Sequence, residues 1–176
     1  MANGEPRTML VIGGARSGKS RHAQALAEGW AGAADRLVFV ATAQAFDGEM
    51  SERIARHQAD RDARWNTVEA PIDLAGAIRQ WAAADVVMLV DCLTLWASNL
   101  LLADRDEPAA IEDLVAAIGA SEARIVLVAN EVGFGIVPEN ALARRFRDWA
   151  GIINQRVAAT VDRADLVVAG LPLTLK

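Results

Sequence analysis

Gly13-Gly14-Ala15-Arg16-Ser17-Gly18-Lys19-Ser20 stands between the apolar run Met9-Leu10-Val11-Ile12 and the helix-forming run Arg21-His22-Ala23-Gln24-Ala25-Leu26-Ala27. Gly13, Gly18, Lys19 and Ser20 fit the phosphate-binding pattern G-x-x-x-x-G-K-S/T, in the strand–loop–helix setting that the pattern requires. Glycines let the backbone curl so that successive N–H groups converge on phosphate oxygens. The start of the following helix adds partial positive charge. Lys19 is suited to the β- and γ-phosphates, and Ser20 offers a hydroxyl to Mg²⁺. The stretch therefore predicts a nucleoside triphosphate site over Gly13, Gly14, Ala15, Arg16, Ser17, Gly18, Lys19 and Ser20.

Outward from this loop, apolar strands alternate with helices. Thr8–Ile12, Arg36–Ala41, Asp85–Asp91, Arg124–Ala129 and Asp165–Ala169 read as strands, with shorter pieces at Trp65–Glu69 and Leu173–Leu175. The strongest strands are continuously apolar, as expected when both faces are covered. Helices are expected after the loop to about Gly29, from Asp47 to about Arg61, and from Asp73 to about Ala82. Others are expected over Cys92–Ala103, from Pro108 to about Gly119, and over Glu139–Arg163. The alternation predicts an α/β fold with a mainly parallel sheet, formed by a single domain spanning residues 1–176.

The 176 residues carry a net charge of −5, which argues against a surface that coats nucleic acid. Cys92 is the only cysteine, so neither an internal disulfide nor a cysteine-based zinc cluster can form. The start, Met1-Ala2-Asn3-Gly4-Glu5-Pro6-Arg7, lacks the apolar core of a secretory signal. Val86 to Ala103 is the most membrane-like stretch, but Asp91, Thr94, Ser98 and Asn99 interrupt it. A cytoplasmic protein without a membrane span is expected.

Asp91 closes the all-apolar run Val86-Val87-Met88-Leu89-Val90, the setting of an acidic residue that helps hold Mg²⁺ beside a phosphate loop. Capping of the following helix is the competing role. His57 lies one helical turn from Arg53 and one from Arg61, with Arg56 and Arg64 nearby. Surrounding arginines disfavour the imidazolium, leaving a neutral ring able to act as a nucleophile. An ordinary solvated helix face fits the same pattern. His22 lacks such neighbours and is expected to serve packing or capping. The N-K-x-D sequence of small GTPases is missing, since Asn130-Glu131-Val132-Gly133 does not supply it. Trp30, Trp65, Trp81, Trp96 and Trp149 are scattered, which suits core or interface packing.

Several stretches together resemble one family, the bifunctional adenosylcobinamide kinase/adenosylcobinamide-phosphate guanylyltransferases of cobalamin biosynthesis. They are Gly13–Ala23, Ala41-Thr42-Ala43, Glu49-Met50 through Arg53-Ile54-Ala55-Arg56-His57, Arg61, Trp65, Thr67-Val68-Glu69 and Asp91-Cys92-Leu93-Thr94. The most specific is Asn130-Glu131-Val132-Gly133-Phe134-Gly135-Ile136-Val137-Pro138-Glu139-Asn140, followed by Gly151 and Asn154-Gln155. The resemblance implies a RecA-like P-loop NTPase sheet and a homotrimer. It implies phosphorylation of adenosylcobinamide with ATP or GTP, then GMP transfer from GTP through a GMP–histidine intermediate. His57 matches the histidine position, and Arg56 stands where some relatives have a second histidine. It also implies nucleotide contacts at Ala41, Thr42, Ala43, Gln58, Ala59, Asp60, Arg61, Glu69 and Asp91. With Mg²⁺ as cofactor, Ser20 and Asp91 are the expected metal residues. Two rivals differ in class: a phosphate-loop small-molecule kinase without a covalent intermediate, and a non-catalytic nucleotide switch.

Overall fold

The computed structural model describes residues 5–33, 35–44 and 63–176. Its elements are β1 (Thr8–Gly13), α1 (Lys19–Trp30), β2 (Arg36–Ala41), β3 (Trp65–Glu69), α2 (Leu74–Gln80) and β4 (Val86–Asp91). They continue with α3 (Leu93–Leu102), α4 (Glu107–Ala120), β5 (Arg124–Asn130), α5 (Ala141–Thr160), β6 (Arg163–Val168) and β7 (Leu171–Thr174). The helix expected from Asp47 to about Arg61 lies outside the described residues.

The strands join one seven-stranded sheet in the order β3-β2-β4-β5-β1-β6-β7. Every pairing is parallel except that of β6 with β7. Successive side chains of a strand point to opposite faces. Leu10, Ile12, Val38, Val40, Met88, Val90, Ile125 and Leu127 accordingly pack with α2, α3, α4 and α5 on one side. Met9, Val11, Leu37, Phe39, Val87, Leu89, Val126 and Val128 meet Ala23 and Ala27 of α1 on the other. Both faces are thus covered, which is why these strands read as unbroken apolar runs.

Val86 to Ala103 resolves into a buried strand and a largely buried helix, with Trp96 Nε1 donating to the Ile72 carbonyl at 2.8 Å. Among the described residues, no helix is long and apolar enough to cross a membrane.

The final helix differs from expectation at both ends, and β6 and β7 each begin two residues early, at Arg163 and Leu171. The final helix begins at Ala141, because the Asn140 side chain accepts from Ala143 N–H at 2.7 Å and caps it. It ends at Thr160, short of Arg163, which opens β6. Asp162 is drawn away to the start of β1, where its Oδ2 accepts from the Arg7 and Thr8 amides, each at 2.9 Å, and from Thr8 Oγ1 at 3.0 Å. The buried stripe of α5, Ala150, Ile153, Asn154 and Val157, follows the helical period. At the chain's end, Ala169 (φ 52°) and Gly170 (φ 80°) turn β6 back into β7. Pro172 is tolerated there because β7 is an edge strand.

Candidate nucleotide site at the carboxyl edge of the sheet

β1 delivers Gly13 to the carboxyl edge between β5 and β6, in register with Asn130 on one side and Val167 on the other. A Cβ at Gly13 would fall 2.4 Å from Ser17 Oγ and 2.7 Å from the Val167 carbonyl, so the loop closes only over a bare Cα. Ser17 N–H donates to the Gly14 carbonyl at 3.2 Å, and Arg16 takes a left-handed φ of 56° to complete the turn. Lys19 is the first helical residue, buried to 7% exposure, and its Nζ donates back across the loop to the Gly14 carbonyl at 3.1 Å.

Gly18 occupies the N-cap of α1 at φ 95°, and among the described residues no side chain caps the helix. A glycine at this position opens the helix N-terminus toward the loop, the arrangement that favours an anion. Gly18 also lies against the β6–β7 turn, since an added Cβ would sit 3.1 Å from Gly170 Cα. Gly18→Ala must combine a disfavoured φ with this close approach. We expect a loss of about 2 kcal/mol of stability, read as a lower midpoint in thermal or urea unfolding.

The neighbouring strand ends form the rest of the edge. Ala41 pairs in register with both Asp91 and Glu69, so the three residues sit at one level on β2, β4 and β3. Asp91 is half-buried, and α3 is capped by Cys92 without any side-chain cap. The capping role for Asp91 is therefore not the one it plays. The Asn130 amide donates to Thr94 Oγ1 at 2.6 Å, and the Glu131 amide to the Gly13 carbonyl at 3.1 Å. These bonds fasten the loop after β5 to the phosphate loop and to α3.

Thr42 is fully buried and its polar groups are engaged inside the protein. Its Oγ1 donates to the Cys92 carbonyl at 2.7 Å and accepts from the Cys92 amide at 2.8 Å. Its own carbonyl accepts from Asn99 Nδ2 at 2.7 Å, and the same amide group reaches the Pro71 carbonyl at 2.9 Å. Thr42 and Asn99 thus hold the exits of β2, β3 and β4 together.

Burial, with the Asp91 charge next, pushes the Cys92 thiol up to about 11, a rise that Lys19 slightly opposes. The native thiol is predicted to resist a thiol-reactive disulfide reagent at pH 8, while the unfolded chain reacts fully. Equal reaction rates in the two states would contradict this packing.

The structure places the half-buried Ala41 and Asp91 and the exposed Glu69 at one level of the carboxyl edge, with the half-buried Ala43 just beyond β2. The phosphate loop leaves the same edge from β1, two strands from β4 and four from β3. His57, Gln58, Ala59, Asp60 and Arg61 lie outside the described residues. Three features escaped the reading of the chain. Asn99 showed only as a polar break in an apolar run, and Gly170 carried no mark. His22, expected to pack or cap, instead pairs through Nε2 with Asp165 Oδ2 at 3.1 Å. Asp165 stood at the head of an apolar run, where a carboxylate is ordinary, and only its place inside β6 shows that it is buried and demands partners.

Among the described residues, no three His, Cys, Asp or Glu side chains converge to hold a metal by themselves. A hydroxyl at Ser20 and a carboxylate at Asp91 are hard oxygen donors that suit Mg²⁺ shared with phosphate oxygens, which needs no all-protein cage.

A mainly parallel sheet with a glycine loop between β1 and a helix that opens on Gly18 defines a phosphate-loop nucleotide-binding protein. Residues 9–175 match the CobU family, described as cobinamide kinase / cobinamide phosphate guanyltransferase, and the chain belongs to that family. It is 48% identical over 171 residues to the bifunctional adenosylcobalamin biosynthesis protein CobP of Pseudomonas aeruginosa, covering 95% of this chain and 96% of that protein. It is 45% identical over 183 residues to the bifunctional adenosylcobalamin biosynthesis protein CobU of Salmonella typhimurium, covering 96% and 99%. Among solved structures, a prototypical ATPase from the type III secretion system of pathogenic bacteria aligns with a TM-score of 0.55 at 12% identity. That alignment covers 95% of this chain and 56% of the ATPase, and the likeness is one of fold.

Proposed function

We propose that the chain is a bifunctional corrinoid kinase and guanylyltransferase. With ATP or GTP it phosphorylates the hydroxyl of the aminopropanol arm of adenosylcobinamide. With GTP it then attaches GMP to that phosphate, giving adenosylcobinamide-GDP and pyrophosphate. The observation that carries this reading is an intact phosphate loop within a chain matched over residues 9–175 by a family described by both reactions.

In the first reaction, the amides of Gly13 to Ser20 cradle the phosphates and Lys19 neutralises charge as the γ-phosphoryl group moves. Ser20 and Asp91 hold Mg²⁺, which supplies further neutralisation of the phosphate oxygens when bound. In the second reaction, a nitrogen of His57 attacks the α-phosphorus of GTP. A P–N bond forms as the bond between the α-phosphorus and the bridging oxygen breaks, and pyrophosphate leaves. A phosphate oxygen of adenosylcobinamide phosphate then displaces the imidazole, returning His57 to its starting state. Ala41, Ala43, Gln58, Ala59, Asp60, Arg61 and Glu69 are assigned to the nucleotide. Thr42, with its polar groups engaged internally, is assigned to holding the strand ends in place. Assembly as a homotrimer in the cytoplasm belongs to the same reading.

The test is release of pyrophosphate from GTP on adding adenosylcobinamide phosphate to the purified chain. Stoichiometric release with formation of a corrinoid–GDP product is expected. Nucleotide binding without corrinoid-dependent turnover would leave a nucleotide switch and end this reading.

A further inference from the structure

β6 and the turn that follows it meet the phosphate loop at one point and α1 at another. Above, the Gly170 amide donates to the Ser17 carbonyl at 2.8 Å. Below, His22 Nε2 meets Asp165 Oδ2 at 3.1 Å across the gap between α1 and β6. Residues 17 and 22 bracket Gly18, Lys19, Ser20 and Arg21, so the two attachments enclose the helix turn that carries the phosphate ligands.

The lower attachment is built into the core. Asp165 is fully buried and pairs in register with Val11 of β1. Its Oδ1 accepts from Arg163 Nε at 3.0 Å and its Oδ2 from Arg163 Nη2 at 3.2 Å, while Arg163 Nη2 also reaches Thr174 Oγ1 on β7 at 3.0 Å. Burial alone would raise the Asp165 carboxyl, but hydrogen bonds from Arg163, His22 and Thr174 outweigh it and hold the group below the ordinary carboxylate range. An ionised carboxylate only accepts, so the His22 proton resides on Nε2 and points at Asp165. The other end of the same turn is closed by the His22 amide, which donates to the Gly18 carbonyl at 3.0 Å.

We propose that His22 is a positioning residue: through Asp165 it fastens the first turn of α1 to β6 and so fixes Lys19 and Ser20 for the triphosphate. This rests on the phosphate-loop reading of the site and adds a role for the C-terminal ribbon β6–β7. The ribbon acts as a brace, with Asp165 and Gly170 as its two contacts. His22 itself does not touch the nucleotide in this account. Its contribution is that Lys19 and Ser20 need not be ordered when the ligand arrives.

The experiment measures binding of a fluorescent N-methylanthraniloyl GTP to the full chain, well below its unfolding temperature, alongside thermal midpoints. His22→Leu fills the volume but cannot donate, and we expect binding about tenfold weaker. His22→Gln keeps a donor near the Nε2 position and should stay within about threefold of the unaltered chain. Asp165→Asn should weaken binding similarly to His22→Leu, and the double variant should lose little more than either single one. Additive losses would mean that His22 acts alone and would overturn the brace. So would a His22→Leu variant that binds as tightly as the unaltered chain, or a His22→Gln variant as weak as His22→Leu. A loss that tracks the thermal midpoint alone would reduce the pair to ordinary stabilisation and also overturn it. Should the unaltered chain bind no GTP analogue, the nucleotide reading itself falls and the brace with it. Equal binding by all variants removes only the brace.

Discussion

His57→Ala is expected to abolish guanylyl transfer while leaving phosphorylation of the corrinoid close to its original rate. Removal of a covalent nucleophile costs the step it opens by at least about 10,000-fold, because the remaining groups have no bond to form with the α-phosphorus. The kinase step uses the phosphate loop and does not pass through the imidazole, so it survives. The measurement is a pair of assays on one preparation: pyrophosphate release from GTP with adenosylcobinamide phosphate, and phosphate transfer from γ-labelled ATP or GTP to adenosylcobinamide. Loss of both activities together would mean that His57 supports the fold or the nucleotide in general. Retention of transfer would remove it as the nucleophile.

Lys19→Met gives the opposite pattern, with both reactions falling. Lys19 opens α1, is nearly buried, and folds over the loop to the Gly14 carbonyl, which sets its ammonium over the loop proposed to hold the β- and γ-phosphates. Deleting one preorganised charged donor at a developing negative charge slows a reaction by about 100- to 1,000-fold. In the proposed mechanism the same ammonium helps align the triphosphate for attack on its α-phosphorus by His57. We therefore expect kinase and transferase rates to drop by comparable factors. A variant that lost the kinase reaction but transferred GMP normally would show that the two reactions use separate phosphate sites. Together the two substitutions separate a shared site from a private nucleophile.

The parts of this architecture legible in the chain were those written locally. The phosphate loop is a contiguous motif with a strand before it and a helix after it, and all three formed as expected. The continuous apolar runs of β1, β2, β4 and β5 announced a sheet covered on both faces, because no alternation was present to spare one face for water. Asp91 was legible for the same reason, as the acidic end of an apolar run. What was not legible depended on partners far away in sequence. The end of α5 at Thr160 goes with Asp162, two residues on, whose partners are the amides of Arg7 and Thr8, about 150 residues earlier in the chain. The antiparallel return of β7 rests on a two-residue turn whose Ala169 is an unusual occupant of positive φ. Thr42 matched a nucleotide position, yet its hydroxyl serves Cys92, fifty residues on. His22 and Asp165 each looked unremarkable until β6 was laid beside the helix that follows the loop. Such pairings follow from topology, and topology was known here only as a class.

In the proposed mechanism one phosphate loop serves both a kinase and a covalent guanylyl transfer. This is tested most directly by incubating the full chain with Mg²⁺ and GTP labelled on the α-phosphate, denaturing it, and locating the label by peptide mass. A GMP adduct is expected on the peptide containing His57, labile to acid and stable to alkali as a phosphoramidate is, and discharged by adenosylcobinamide phosphate. A chain that turns over corrinoid phosphate and GTP with no trapped label, or with the label on another residue, would contradict that mechanism.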